Sequence, residues 1–295
     1  MRTFNPVGRR AVVLGLGCVP VAALAEQSFV VVASFSILAD MVRRVSGDLV
    51  HVVSLVPHDS DSHVYQPTAA DSRSLSTAGV IVENGLALEG WMARLGEAAR
   101  FRGIRIIATA GIKPRNLDGH SDPHAWQDPR LSVTYVRNIA AGLAAADQDH
   151  AENYRVNAAA YISEIESLDA WIVSRFASIP VAARRIITTH DAFGYYGDRY
   201  AIKFLSAQGI ATDSEPSAKG IMTLITQIRR EKARTVFLEN MTDPRLARML
   251  ASETGATVSG PLYSDALSGP DGPAPDYLTM LRYNTTWFER AMRAV

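Results

Sequence analysis

Cysteine is almost missing from this 295-residue sequence: Cys18 is its only one. Everything beyond that residue must hold together without disulfides, by its apolar core. A surplus of either charge is missing too, with 30 Lys and Arg against 30 Asp and Glu. With no basic stripe along the chain, nucleic acid is not the expected partner. No apolar run reaches the roughly 20 uninterrupted residues needed to span a bilayer. Neither His-Glu-x-x-His nor Gly-x-Ser-x-Gly occurs, so the local signatures of a zinc protease helix and of a serine-hydrolase elbow are absent. Finally, residues 149–178 contain neither Gly nor Pro.

What is present begins at the amino terminus. Arg2, Arg9 and Arg10 precede an apolar stretch from Ala11 to Ala25, interrupted by Gly15, Gly17, Cys18 and Pro20. It closes on Ala23-Leu24-Ala25, a small-x-small pattern. This predicts a cleavable export signal over residues 1–25 and a mature protein that starts near Glu26 in the periplasm. Arg9-Arg10 leaves the twin-arginine route open beside general secretion. Cys18, after Leu16-Gly17, is a lipidation candidate, but the apolar residues that follow make a poor polar tether, so a soluble product is expected. The remaining chain, about 270 residues at 47% hydrophobic composition, is long enough for two cores.

Short β-branched runs alternate with amphipathic stretches. Strands are expected at 29–33, 52–56, 80–83 and 104–108, and again at 185–189, 235–238 and 256–259, with a helix over 37–45. Strands alternating with helices predict parallel sheets flanked by helices, an α/β fold. The stretch without Gly or Pro differs. Tyr154, Ala158, Tyr161, Ile165, Leu168, Ile172 and Phe176 recur in steps of 3 and 4, which marks one face of a single long helix ended by Pro180. At about 1.5 Å per residue it would reach roughly 45 Å. The expected organisation is a first lobe over 26–148, a rigid connecting spine over 149–180 and a second lobe over 181–295, with a cleft between the lobes.

Four residues each lie beyond an expected strand: His63, His124, His190 and Asp265. In open α/β sheets ligands sit at the carboxyl ends of strands, so facing lobes would bring the four into one cleft. Three imidazoles and a carboxylate form a complete tetrahedral set for a borderline cation such as Zn²⁺. Their gaps of roughly 60 to 75 residues match no local metal motif, however. A loop histidine is ordinarily solvated, as expected of His51, His58 and His150, and Asp265 before Ser268-Gly269-Pro270 also reads as a turn residue on an edge loop. Spacing alone leaves both readings open.

The surrounding motifs carry more. Asp61-Ser62-His63-Val64-Tyr65-Gln66-Pro67, Asp122-Pro123-His124-Ala125-Trp126-Gln127-Asp128-Pro129 and Thr189-His190-Asp191-Ala192-Phe193-Gly194-Tyr195-Tyr196 appear in that order. Glu215-Pro216-Ser217, Val236-Phe237-Leu238-Glu239 and Leu262-Tyr263-Ser264-Asp265-Ala266-Leu267 follow. Over essentially its whole mature length the chain resembles the metal-binding subunits of ABC importers for zinc and manganese. The resemblance implies that His63, His124, His190 and Asp265 bind the metal and that the long helix joins the lobes. Two departures stand out: Ser62 replaces a usual Pro, and the loop 113–123, His-rich in many zinc-specific relatives, offers only His120 with Asp118 and Asp122. That loop is either a minor capture loop or a solvated connection. Tyr65 and Trp126 are candidates for the wall of the site, and Glu239 for an acceptor behind a ligand histidine.

The expectation is therefore a monomeric, non-enzymatic, exported protein that binds zinc, with manganese as the alternative cargo. It would deliver the ion to an inner-membrane ABC permease, with a periplasmic metallochaperone as a further partner. The rivals are a periplasmic metallohydrolase, which would keep an open metal position for water, and an adhesin of the same architecture. Release is expected from movement of the Gly- and Pro-rich loop 268–275 after Asp265.

Overall fold

A computed structural model describes residues 1, 29–117, 119–206, 208–213, 217–231 and 233–294. The expected leader with Cys18, Asp118, and Glu215-Pro216 lie outside the described residues.

The first lobe opens on β1 (Phe29–Phe35), whose β-branched run is buried from Val31 onward, and passes without a loop into α1 (Ser36–Ser46). Gly47, at φ +57°, ends that helix, a conformation glycine reaches without steric penalty. β2 (Val50–Val56), α2 (Ala69–Thr77), β3 (Val80–Glu83), α3 (Met92–Ala98) and β4 (Ile104–Ile107) follow. A capping box between Thr68 and Asp71 starts α2. The small hairpin of β5 (Asn116–Leu117) and β6 (His120–Ser121) then leads into α4 (Pro129–Ala146), which opens on the cap Asp128 with Pro129 behind it.

α5 (Ala151–Phe176) is the long helix, 26 residues, a few shorter than expected at each end. All seven apolar positions read from its sequence are buried, together with Asp169. It packs on α1 and α4 on one side and on α9 of the second lobe on the other. The second lobe contains β7 (Arg185–Thr188), α6 (Gly194–Tyr200), β8 (Lys203–Ser206), α7 (Ala218–Glu231), β9 (Thr235–Glu239), α8 (Pro244–Thr254), β10 (Thr257–Leu262) and α9 (Tyr277–Arg293).

Each lobe has a four-stranded parallel sheet, ordered β2-β1-β3-β4 and β8-β7-β9-β10. Counted from each lobe's own first strand, both orders are 2-1-3-4. β8 was not expected from sequence; its four residues follow α6 after a single turn at Ala201 and Ile202. Side chains alternate across the second sheet. Ile187 and Val236 pack with Leu224, Ile225, Ile228, Ala247 and Leu250 on the α7 and α8 face, while Ile186 and Phe237 face the main core. That main core runs unbroken from the first sheet through α4, α5 and α9 into the second lobe, where Phe193, Tyr196 and Phe288 join it.

Candidate metal centre

The four predicted residues converge. One donor atom from each of His63, His124, His190 and Asp265 lies within 4.8 Å of the others. Asp265 is at the middle of the group. Its Oδ2 is 3.2 Å from the Nε2 atoms of both His63 and His190, and its Oδ1 is 3.5 Å from His124 Nε2. His63 Nε2 and His124 Nε2 are 3.2 Å apart. His124, His190 and Asp265 are fully buried and only the His63 side chain keeps a trace of exposure, 6%. Neither oxygen of Asp265 has a hydrogen-bond partner among the described residues. A buried carboxylate without donors is costly, and facing three imidazoles it is suited to a cation.

Each donor is held from behind. Asp61 accepts the His63 backbone N–H at 2.8 Å, and the Trp91 indole reaches the Ser62 carbonyl at 3.2 Å. Asp122 accepts the His124 backbone N–H at 3.0 Å and lies 2.8 Å from its Nδ1. This turns Nε2 towards the centre, the arrangement that orients metal-binding imidazoles. Glu239 does the same for the other lobe: its Oε2 is 2.6 Å from His190 Nδ1, as a charge contact off the hydrogen-bond line, while its Oε1 accepts the backbone N–H groups of Thr189 and His190 at 3.0 Å each. Asp265 follows β10. Asn284 holds the Tyr263 backbone at both N–H and carbonyl, and Trp126 and Gln127 of the first lobe hold the Ser264 carbonyl at 2.9 and 2.7 Å.

The charges are coupled. Burial would push the His124 imidazolium down, but Asp265 and Asp122 outweigh it and raise its pKa to about 9 when no ion is bound. Against the same burial, Glu239 and Asp265 raise His190 well above the usual histidine range. Burial would lift Asp265, yet the facing histidines hold its carboxyl well below the carboxylate range.

Several expectations need correction at this level. Asp265 does not sit on an edge loop. Asp265 to Ser268 are buried, and exposure is confined to Pro270, Asp271 and Pro273 at the tip. Asp122 belongs to His124 rather than to a capture loop, and His120 is exposed on β6, apart from the four. Trp126 does wall the site, its ring 5.2 Å from His124 and 5.0 Å from Phe35. Tyr65 instead packs on Trp91 and donates to Asp71. His51 is exposed as expected, whereas His150 is half-buried with Nδ1 2.8 Å from Asp147. Sequence reasoning missed the pairing of Asp122 with His124, whose only sequence signal is the two-residue spacing in Asp122-Pro123-His124.

The model of the family described as the periplasmic component A of the zinc-uptake complex, ZnuA, matches residues 31–291. The chain belongs to this family. Iron-binding protein YfeA of Yersinia pestis is 34% identical over 272 residues, covering 88% of this chain and 87% of that one. The manganese ABC transporter substrate-binding lipoprotein PsaA of Streptococcus mitis is 29% identical over 276 residues, 89% and 88% of the two chains. Among solved structures, the Mn-bound periplasmic metal binding protein from Candidatus Liberibacter asiaticus superposes with a TM-score of 0.82 at 32% identity, over 90% of this chain and 99% of that one. The two-lobed α/β fold is thus the fold of these transport proteins. A ZnuA-family chain is a substrate-binding component of metal uptake, not a hydrolase. Adhesion finds no support in these relatives, and the expectation of an unlipidated product conflicts with relatives named as lipoproteins. No helix among the described residues is long and apolar enough to cross a membrane.

Proposed function

We propose that this chain captures one divalent transition-metal ion outside the cytoplasm, zinc before manganese, and passes it to an ABC permease. The ligands are His63, His124, His190 and Asp265. One observation carries the reading: three imidazoles and a buried carboxylate without hydrogen-bond donors close on a single point from both lobes. Three nitrogens and one oxygen suit tetrahedral Zn²⁺ at about 2.0–2.2 Å. Mn²⁺ prefers more oxygen and stands lowest in the affinity order. With four protein ligands no position is left for an activated water, as befits cargo rather than catalysis.

Manganese is the second reading, favoured by a specific feature. Both oxygens of Asp265 face the imidazoles and neither is engaged elsewhere, which permits a fifth bond to a larger ion. Metal analysis of protein purified without added metal, followed by competition between Zn²⁺ and Mn²⁺ on the stripped protein, separates the two. Displacement of zinc by equimolar manganese would overturn the zinc assignment.

The lobes 26–148 and 181–295 and the spine 149–180 form the working unit, a monomer that docks on its permease and receives metal in the periplasm, in part from a metallochaperone. The leader 1–25 directs export. The intact mass of the exported protein decides between cleavage before Glu26 and a diacylglyceryl anchor on Cys18.

A further inference from the structure

Arg115 lies in the connection 113–123, outside the four donors, yet its contacts reach two of the segments that bear them. Its Nη1 donates to Asp122 Oδ2 at 2.6 Å, and the other oxygen of Asp122 is the one that holds His124. Its Nε donates to Asp198 Oδ2 at 2.7 Å, on α6 of the opposite lobe. α6 begins four residues after His190. Tyr195, on the same helix, closes the arrangement. Its hydroxyl donates to the Asp122 carbonyl at 2.8 Å and accepts the Arg115 backbone N–H at 2.9 Å. The guanidinium lies 5.5 Å from the Tyr195 ring centre.

At Gly194 a Cβ would stand 1.6 Å from Arg115 Nη1, so the guanidinium fills the space a side chain would take at the start of α6 and would have to shift to admit one. Asp122 is fully buried, whereas Arg115 keeps 29% of its side-chain exposure. The carboxylate that orients His124 therefore has its outer charge partner on a residue that also grips the other lobe.

We infer that Arg115 is a positioning residue, a clasp that fixes the separation of His124 and His190 across the cleft and so slows loss of the bound ion. This rests on the proposed function. The planar, forked guanidinium meets the two carboxylates through N–H groups held in fixed directions, whereas an ammonium is a compact point charge on a flexible stem. Loss of the clasp is expected to act on retention, since affinity differences among variants of one site are carried mostly by the off-rate.

The test is a chelator chase of the zinc-loaded protein, with release followed by the absorbance of the chelator–zinc complex and association measured separately. Arg115→Ala is expected to release zinc about 10- to 100-fold faster, the range for loss of an outer partner, with association within about twofold of wild type. Arg115→Lys should recover only part of the difference. Gly194→Ala, which keeps the charge but displaces it, should reproduce the fast release. Folded Arg115→Ala and Gly194→Ala proteins that release zinc at the wild-type rate would overturn the clasp, as would full rescue by Lys. So would a drop in melting temperature with association slowed by as much as release is accelerated, which marks general loosening. A wild-type chain that binds no zinc or manganese refutes the proposed function itself, and the clasp falls with it.

Discussion

Trp126 donates its indole N–H to the carbonyl of Ser264 at 2.9 Å, so the residue two places after His124 holds the residue just before Asp265. Gln127 adds a second bond to the same oxygen. Two donor-bearing segments from opposite lobes are joined through protein atoms alone, before any ion contributes.

The loop after Asp265 should therefore be ordered with or without metal. The Leu267 N–H donates to Ser36 Oγ and the Ser268 N–H to the Ala274 carbonyl, at 3.0 and 2.9 Å. Hydrogen exchange at these two amides is expected to change by less than about tenfold on loading, with the exposed tip amide of Asp271 exchanging fast in both states. A large gain in protection at Leu267 on loading would restore the movement of this loop as the release step.

Alanine at any of His63, His124, His190 or Asp265 should weaken binding by more than the about 10- to 100-fold typical of outer partners. Asp265→Ala is expected among the most damaging, because its carboxylate touches all three imidazoles and is fully buried. Titration calorimetry on stripped protein measures the ranking. Near-normal affinity in both His63→Ala and His190→Ala would remove the shared site.

Affinity should climb with pH well above the ordinary histidine range. A ligand imidazole must lose its proton to bind metal, and His124 holds that proton up to about 9. Binding should thus tighten from about pH 6.5 to about 9, releasing about one to two protons per ion, since His190 too must give up its proton. The same shift gives the metal-free fold a stability contribution that is complete below the unfolded-state value of 6.5 and is lost as pH rises through about 9. Calorimetry in buffers of different ionisation enthalpy counts the protons; none released at pH 7.5 would contradict the charge arrangement.

Glu239→Gln should cost about 10- to 100-fold in affinity while leaving one ion bound per chain. It keeps an acceptor for the Thr189 and His190 backbone N–H groups but removes the negative charge facing His190 Nδ1. An unchanged affinity would reduce Glu239 to a strand-end brace.

Most of the frame was legible because the relevant forces are local. β-branched runs marked seven of the eight sheet strands, and the 3-and-4 spacing of Tyr154 to Phe176 marked α5. The convergence of His63, His124, His190 and Asp265 was legible because each lies beyond a strand in an ordered motif. β8 escaped because four residues carry too little periodicity. The grip of Arg115 on Asp122 and Asp198 escaped for another reason: it depends on how the lobes face each other, and residues 7 and 83 positions apart in sequence carry no spacing signal for it. Asp265 was misplaced because the Gly- and Pro-rich residues after it describe the loop tip, not the buried stem.

The apolar core that crosses from one sheet to the other bears on how the molecule comes apart. Phe35 and Trp126 pack together on one side, Phe176 packs on Tyr196 and Tyr200 on the other, and all five belong to one continuous cluster. Melting one lobe would strip apolar cover from the other, so neither gains by unfolding first. The chain should denature in a single cooperative transition despite its two sheets, and an ion bonded to both halves should raise that one midpoint without splitting it.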